Sequence, residues 1–184
     1  MIIMTGFAGL AGTRTLLEKE YDRLLKRFSR NFLDSIPPYE SEKAAENTKK
    51  ILESRGTGDF VQAGKEGIFA ALWEFGEKMS CGMRIDTTAL LMLQETIEIA
   101  DYLDINPYED DSTGCLLFTA DGERADFIIQ KLHESDISAA IIGYKTKDKD
   151  RLLIKGSERR FLTPASRIEA EKKQRETYNA KRDK

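Results

Sequence analysis

Hydrophobic positions along the chain fall into two alternating periods. Residues 2–5 form a short apolar run stopped by glycine, read as a buried strand. Behind it Leu17, Tyr21, Leu24 and Phe28 recur at helical offsets and make one stripe of an amphipathic helix. Thr13 stands where an N-cap would, its hydroxyl able to take up an unpaired amide of the first turn. Pro37-Pro38 closes that region, because proline lacks the N–H and fixes φ. A second helix follows from Ser41 through Ala45, Thr48 and Leu52, ending near Gly56-Thr57-Gly58. A third spans about 66–80, with Ile68, Leu72, Phe75 and Met79 on one face.

The second half continues the alternation. Gly82-Met83-Arg84-Ile85 reads as a half-buried strand, and Leu90, Leu93, Ile97 and Ala100 predict a helix over 88–103. Asn106-Pro107 ends it. Cys115 to Phe118 is a short strand, and Ala125, Ile128, Ile129 and Leu132 mark a helix after the Asp121-Gly122 turn. The β-branched run 137–144 and the segment 151–154, joined by the polar turn 147–150, read as a hairpin. Helices alternating with short strands predict an α+β fold around a mixed sheet.

From Pro164 the pattern fades. Residues 165–184 carry seven Lys/Arg against four Asp/Glu, with Ile168 and Tyr178 the only large apolar side chains. So few apolar groups cannot offset the ordering entropy of the segment. The expected organisation is a domain over 1–163 and a charged tail over 164–184, flexible or an exposed helix.

Composition narrows the chemistry. The 184 residues hold 29 Lys+Arg and 32 Asp+Glu, a net charge of −3, with the two signs interleaved. That balance argues against nucleic acid as the main partner, which would select a basic face. No apolar run approaches the roughly 20 residues needed to span a bilayer. The N-terminus lacks a charged n-region before its apolar stretch, so the expected setting is cytoplasmic and reducing. Two cysteines, Cys81 and Cys115, make neither a disulfide framework nor a zinc spacing, and each reads as a small hydrophobe beside a strand. The single histidine, His133, sits near a helix C-terminus and leaves little material for a His-based metal site or a Ser/His triad.

Four blocks of residues, in order, resemble a known family. Ile3-Met4-Thr5 with Gly9-Leu10-Ala11-Gly12-Thr13 is similar to an "MTK..GLEGT" segment. Gly67-Ile68-Phe69-Ala70-Ala71-Leu72-Trp73-Glu74 resembles a "GGIFGALWE" helix. Ile105-Asn106-Pro107-Tyr108 with Ser112-Thr113-Gly114 resembles "INPY….SSG", and Ala140-Ile141-Ile142-Gly143 with Glu158-Arg159-Arg160-Phe161-Leu162 resembles the closing strands. The family is the AIR synthase superfamily, which includes aminoimidazole ribonucleotide synthase, selenophosphate synthase and thiamine-monophosphate kinase; the blocks look most like its hydrogenase maturation factor branch.

The resemblance implies the superfamily's C-terminal domain, a three-layer α/β/α arrangement around a mixed sheet. It also implies that the N-terminal domain supplying ATP and magnesium carboxylates lies outside this chain, so that no cofactor is held by this chain alone and ATP with magnesium enters only with a partner domain. A pattern resembling "HD-x-T-x-GG" ahead of the third helix is replaced by Val61-Gln62-Ala63-Gly64-Lys65-Glu66-Gly67. Its acid and hydroxyl are lost, and Glu66 adds a negative charge that opposes an anionic ligand. The expected protein is a non-catalytic relative. The alternatives are a subunit of a split ATP-dependent enzyme, paired with a separately encoded N-terminal domain, and a self-associating assembly module.

No catalytic residue and no metal ligand are expected. The candidate phosphate or nucleotide contacts are Gly9, Gly12 and Thr13 in the first glycine loop, with Lys65 and Gly67 at the start of the third helix. A strand, a glycine turn and a helix start can aim N–H groups at an anion. The same glycines can equally serve a tight connection that needs positive φ. Glu109, Asp110 and Asp111 offer oxygen ligands, but consecutive carboxylates diverge, so a solvated loop is the expectation. Phe69 and Trp73, at helical spacing beside Leu72, read as core.

Overall fold

A computed structural model describes residues 1–38, 41–57, 59–168, 170 and 173–174. Its elements in chain order are β1 (Ile2–Thr5), α1 (Leu10–Lys19), α2 (Tyr21–Leu24), α3 (Arg30–Asp34), α4 (Ser41–Ser54), β2 (Phe60–Gln62) and α5 (Gly67–Lys78). Then come β3 (Gly82–Asp86), α6 (Gln94–Tyr102), a 3-10 turn (Pro107–Glu109), β4 (Leu116–Thr119), α7 (Gly122–His133), β5 (Ala139–Thr146), β6 (Arg151–Lys155) and β7 (Glu158–Phe161). Among the described residues the strands make one mixed seven-stranded sheet, ordered β2-β4-β1-β5-β3-β6-β7.

Alternation in β1 shows why the sheet sits between two helical layers. Ile2 and Met4 point into a core with α5, whose Ile68, Leu72 and Phe75 are fully buried. Ile3, between them, points into a second core with Leu52 of α4 and with Ala125, Ile128 and Leu132 of α7. A strand buried on both faces has no polar side, hence its unbroken apolar run. The expected α/β/α layering is therefore present. A third cluster, Leu10, Leu17, Leu24, Leu33, Ile36 and Ile99, ties α1, α2 and α3 to α6.

Several local expectations change. The first helix begins at Leu10, with Gly9 at its N-cap in the left-handed region (φ 71°), so Thr13 is not the cap. Thr13 lies inside the helix, and its hydroxyl bonds the Gly9 carbonyl four residues back. The stripe expected to run to Phe28 breaks at Glu20. The helix expected from 88 begins at Gln94, because Thr88 folds back onto Asp86: its N–H and hydroxyl both donate to Asp86 Oδ1, at 2.9 and 2.6 Å. Such side-chain bonds compete with helix.

The expected 137–154 hairpin does not form. β3 lies between β5 and β6, antiparallel to the first and parallel to the second. The 147–150 turn crosses the start of β3, where Gly82 and Met83 N–H groups donate to Asp148 and Asp150 carbonyls at 2.7 and 2.9 Å. β6 instead makes its hairpin with β7. Past Pro164, residues 165–168 are helical and Ile168 is fully buried in the α5-side core. Most of the expected tail (169, 171–172 and 175–184) lies outside the described residues. Among those described, no helix is long and apolar enough to cross a membrane.

Candidate functional site

The two glycine corners converge on one segment. At the first, Gly9 N–H donates to Ser112 Oγ at 2.9 Å, and Gly12 N–H donates to the Asp111 carbonyl at 3.0 Å. A Cβ at Gly12 would collide with the Asp110 carboxylate. At the second, Gly67 has φ 86°, and a Cβ there would collide with the backbone of Tyr108 and Glu109. Gly67 N–H donates to the Gly64 carbonyl at 3.1 Å. Segment 106–113 thus fills the space in front of both helix starts, and both glycines are needed for its approach.

Ser112 joins the two corners. It is fully buried, receives Gly9 N–H, donates its hydroxyl to the Asp110 carbonyl at 2.9 Å, and donates its own N–H to the Gly64 carbonyl at 3.0 Å. Thr13 reaches the same region, bonding Thr96 Oγ1 at 3.0 Å. Of the five expected contacts, Gly9, Gly12, Thr13 and Gly67 gather here, and Lys65 stands exposed at the surface end of the second corner. Neither Ser112 nor Thr96 carried a distinguishing signal beyond the first one's place in "INPY….SSG".

The acidic run is bound into this loop rather than gathered as a cation cage. Asp110 Oδ1 accepts Asp111 N–H at 2.8 Å, and Asp111 Oδ1 accepts the Thr113 N–H and hydroxyl at 2.9 and 2.5 Å. Among the described residues no three Cys, His, Asp or Glu side chains cluster to hold a metal ion. Cys115 is buried, and loss of solvation first, then the nearby Asp111 charge, pushes its thiol up to about 12. It is a neutral packing group, not a nucleophile. Cys81 is half-buried. His133 Nε2 lies 3.0 Å from the Ala139 carbonyl and fixes the end of α7 to β5. Phe69 is core, as its spacing predicts, and stacks on Tyr108 with centroids 4.7 Å apart.

A second polar cluster, with no local sequence signal, joins Arg151 at the start of β6 to Trp73 and Glu77 of α5. Arg151 is buried to 9 % exposure, with its guanidinium 4.2 Å from the Trp73 ring centroid and Nη2 2.6 Å from Glu77 Oε1. A cleft of about 400 Å³ beside it is lined by Trp73, Gly76, Glu77, Ser80, Lys149 and Arg151.

No family model matches the chain, and no curated protein matches it. Solved structures do. The chain superposes on E. coli HypE, a hydrogenase maturation protein, with a TM-score of 0.71 at 18% identity, covering 89% of this chain and 48% of that one. With a chain of a HypE–HypF complex the TM-score is 0.70 at 13% identity, over 89% and 52%. With T. maritima PurL complexed with ATP it is 0.59 at 12% identity, over 91% and 25%. The fold is therefore the one these HypE and PurL chains share, the α+β fold that the AIR synthase-like sequence blocks imply. The chain spans about half the length of the HypE chains it matches.

Proposed function

We propose that this chain is a non-catalytic AIR synthase-like domain, the counterpart of a HypE C-terminal half, whose glycine corners serve packing rather than phosphate chemistry. One observation carries this reading. Segment 106–113 occupies the ground in front of both helix starts, with the Asp110 carboxylate against Gly12 and the Glu109 backbone against Gly67. An anion approaching Gly12 meets a like charge, and the amides it would use already have acceptors. The test is turnover. The purified chain with ATP and magnesium releases no phosphate above a protein-free control; sustained release, abolished by Gly12→Ala, overturns the proposal.

A second reading is favoured by length. Because the matched HypE chains are about twice as long as the matched region, this reading has the domain working beside a nucleotide-handling partner domain. Mixing this chain with a HypE N-terminal half then restores ATP turnover that neither piece shows alone. Absence of any gain in turnover removes this reading and leaves the first untouched.

A further inference from the structure

Arg151 is held in a way the core does not explain. Among the described residues, only Nη2 of its three guanidinium nitrogens has an acceptor, the Glu77 carboxylate; Nε and Nη1 are buried with no hydrogen-bond partner there. Leaving buried charged donors unpaired is unfavourable. The chain nevertheless makes room for the group, since a Cβ at Gly76 would collide with Arg151 Nε, and it supports the guanidinium plane on the Trp73 indole. The 400 Å³ cleft opens at this point. Lys149 lines it as well, bringing a second cation while its Nζ donates to the Ser80 carbonyl at 2.7 Å. Among the described residues the one acid lining the cleft, Glu77, has a 63 % exposed side chain. Its carboxylate can turn into water when another acceptor takes its place on Arg151.

We propose that this cleft binds the phosphate group of a small ligand through Arg151 and Lys149, with Glu77 holding the place in the free protein. A guanidinium fork is shaped for two oxygens, and Glu77 supplies contact at one nitrogen only. A phosphate that replaces it and spans Nη1 and Nη2 provides the missing acceptor. Its charge near −2 at neutral pH also matches the two cations better than a carboxylate does. The site is separate from the glycine corners and does not depend on the reading given to them.

Trp73 is the only tryptophan in the chain, so its fluorescence reports on this cleft. The full chain is titrated with inorganic phosphate at constant ionic strength, and with acetate in a parallel series. A saturable change with phosphate, weaker with acetate, is expected. Glu77→Gln removes the competitor and tightens phosphate binding by about two- to fivefold, and Lys149→Ala weakens it by a similar factor. Both positions are exposed, and Glu77→Gln keeps an oxygen that can accept from Arg151 Nη2; circular dichroism matched to the parent checks that both variants fold. No saturable change, or one that neither substitution moves, overturns the proposal. Acetate binding as tightly as phosphate overturns the phosphate assignment in favour of a carboxylate ligand.

Discussion

Ser112 Oγ accepts the Gly9 N–H at 2.9 Å across 103 positions of sequence, and both groups are buried. With the Gly12 N–H bond to the Asp111 carbonyl it closes the first glycine corner, and the same Ser112 ties the loop to the second through the Gly64 carbonyl. Ser112→Ala leaves the Gly9 amide without its acceptor, at a cost of about 1–3 kcal/mol. Urea unfolding should show a lower midpoint with an unchanged slope. A midpoint within error of the parent would mean that the loop is held elsewhere.

Gly67 is expected to be more sensitive. An alanine there is strained by its positive φ and also strikes the backbone of Tyr108 and Glu109, which cannot rotate away. Left-handed strain and overpacking together cost about 3 kcal/mol. Gly67→Ala should therefore unfold well below the parent temperature in a thermal melt. Gly122→Ala, also at positive φ (23°) but with open space around it, is the control for backbone strain alone and should lose less, about 1–2 kcal/mol.

The two cysteines should separate cleanly by chemistry. Burial raises the Cys115 thiol to about 12, whereas Cys81 is half-buried. A disulfide-exchange reagent at pH 8 should label one thiol per folded chain and two after denaturation, with Cys81→Ser removing the fast one. The raised value of Cys115 favours the folded state fully below the ordinary thiol value of 9.0, and that contribution is lost as pH rises towards 12. Alkaline unfolding should accordingly begin later in Cys115→Ala than in Cys115-containing protein of matched starting stability.

Acid should act through Asp86. The Thr88 hydroxyl, then the Thr88 amide, hold its carboxyl below the usual 3.8, against a small opposing effect of burial. A lowered value stabilises the folded protein above that ordinary range and is lost as pH falls through the folded value. Thr88→Val removes the hydroxyl bond, so the gap in stability between the two proteins should narrow as pH drops below about 4. Equal acid profiles would show that the Asp86–Thr88 turn carries no weight.

Much of the fold was legible because it is written in short-range periods. The doubly buried β1, the α5 stripe and the α7 stripe all report burial through local spacing alone. What escaped depends on partners far along the chain. The 137–154 hairpin looked self-sufficient until β3, more than fifty residues earlier, took the place between its arms. Thr13 looked like a cap because nothing local shows that Gly9 adopts positive φ and starts the helix four residues sooner. The glycine corners were found, but their filling by Asp110 and Glu109 is a tertiary fact. Arg151 carries no local signal, since the Trp73 and Glu77 that hold it lie on another element far along the chain.

The most direct measurement is the backbone amide spectrum of the labelled chain during titration with magnesium ATP. The account predicts that Gly12 and Gly67 amide signals stay where they are to saturating nucleotide, because both N–H groups keep their protein acceptors. Saturable shifts at both glycines together would contradict it, placing the phosphates at the two glycine corners.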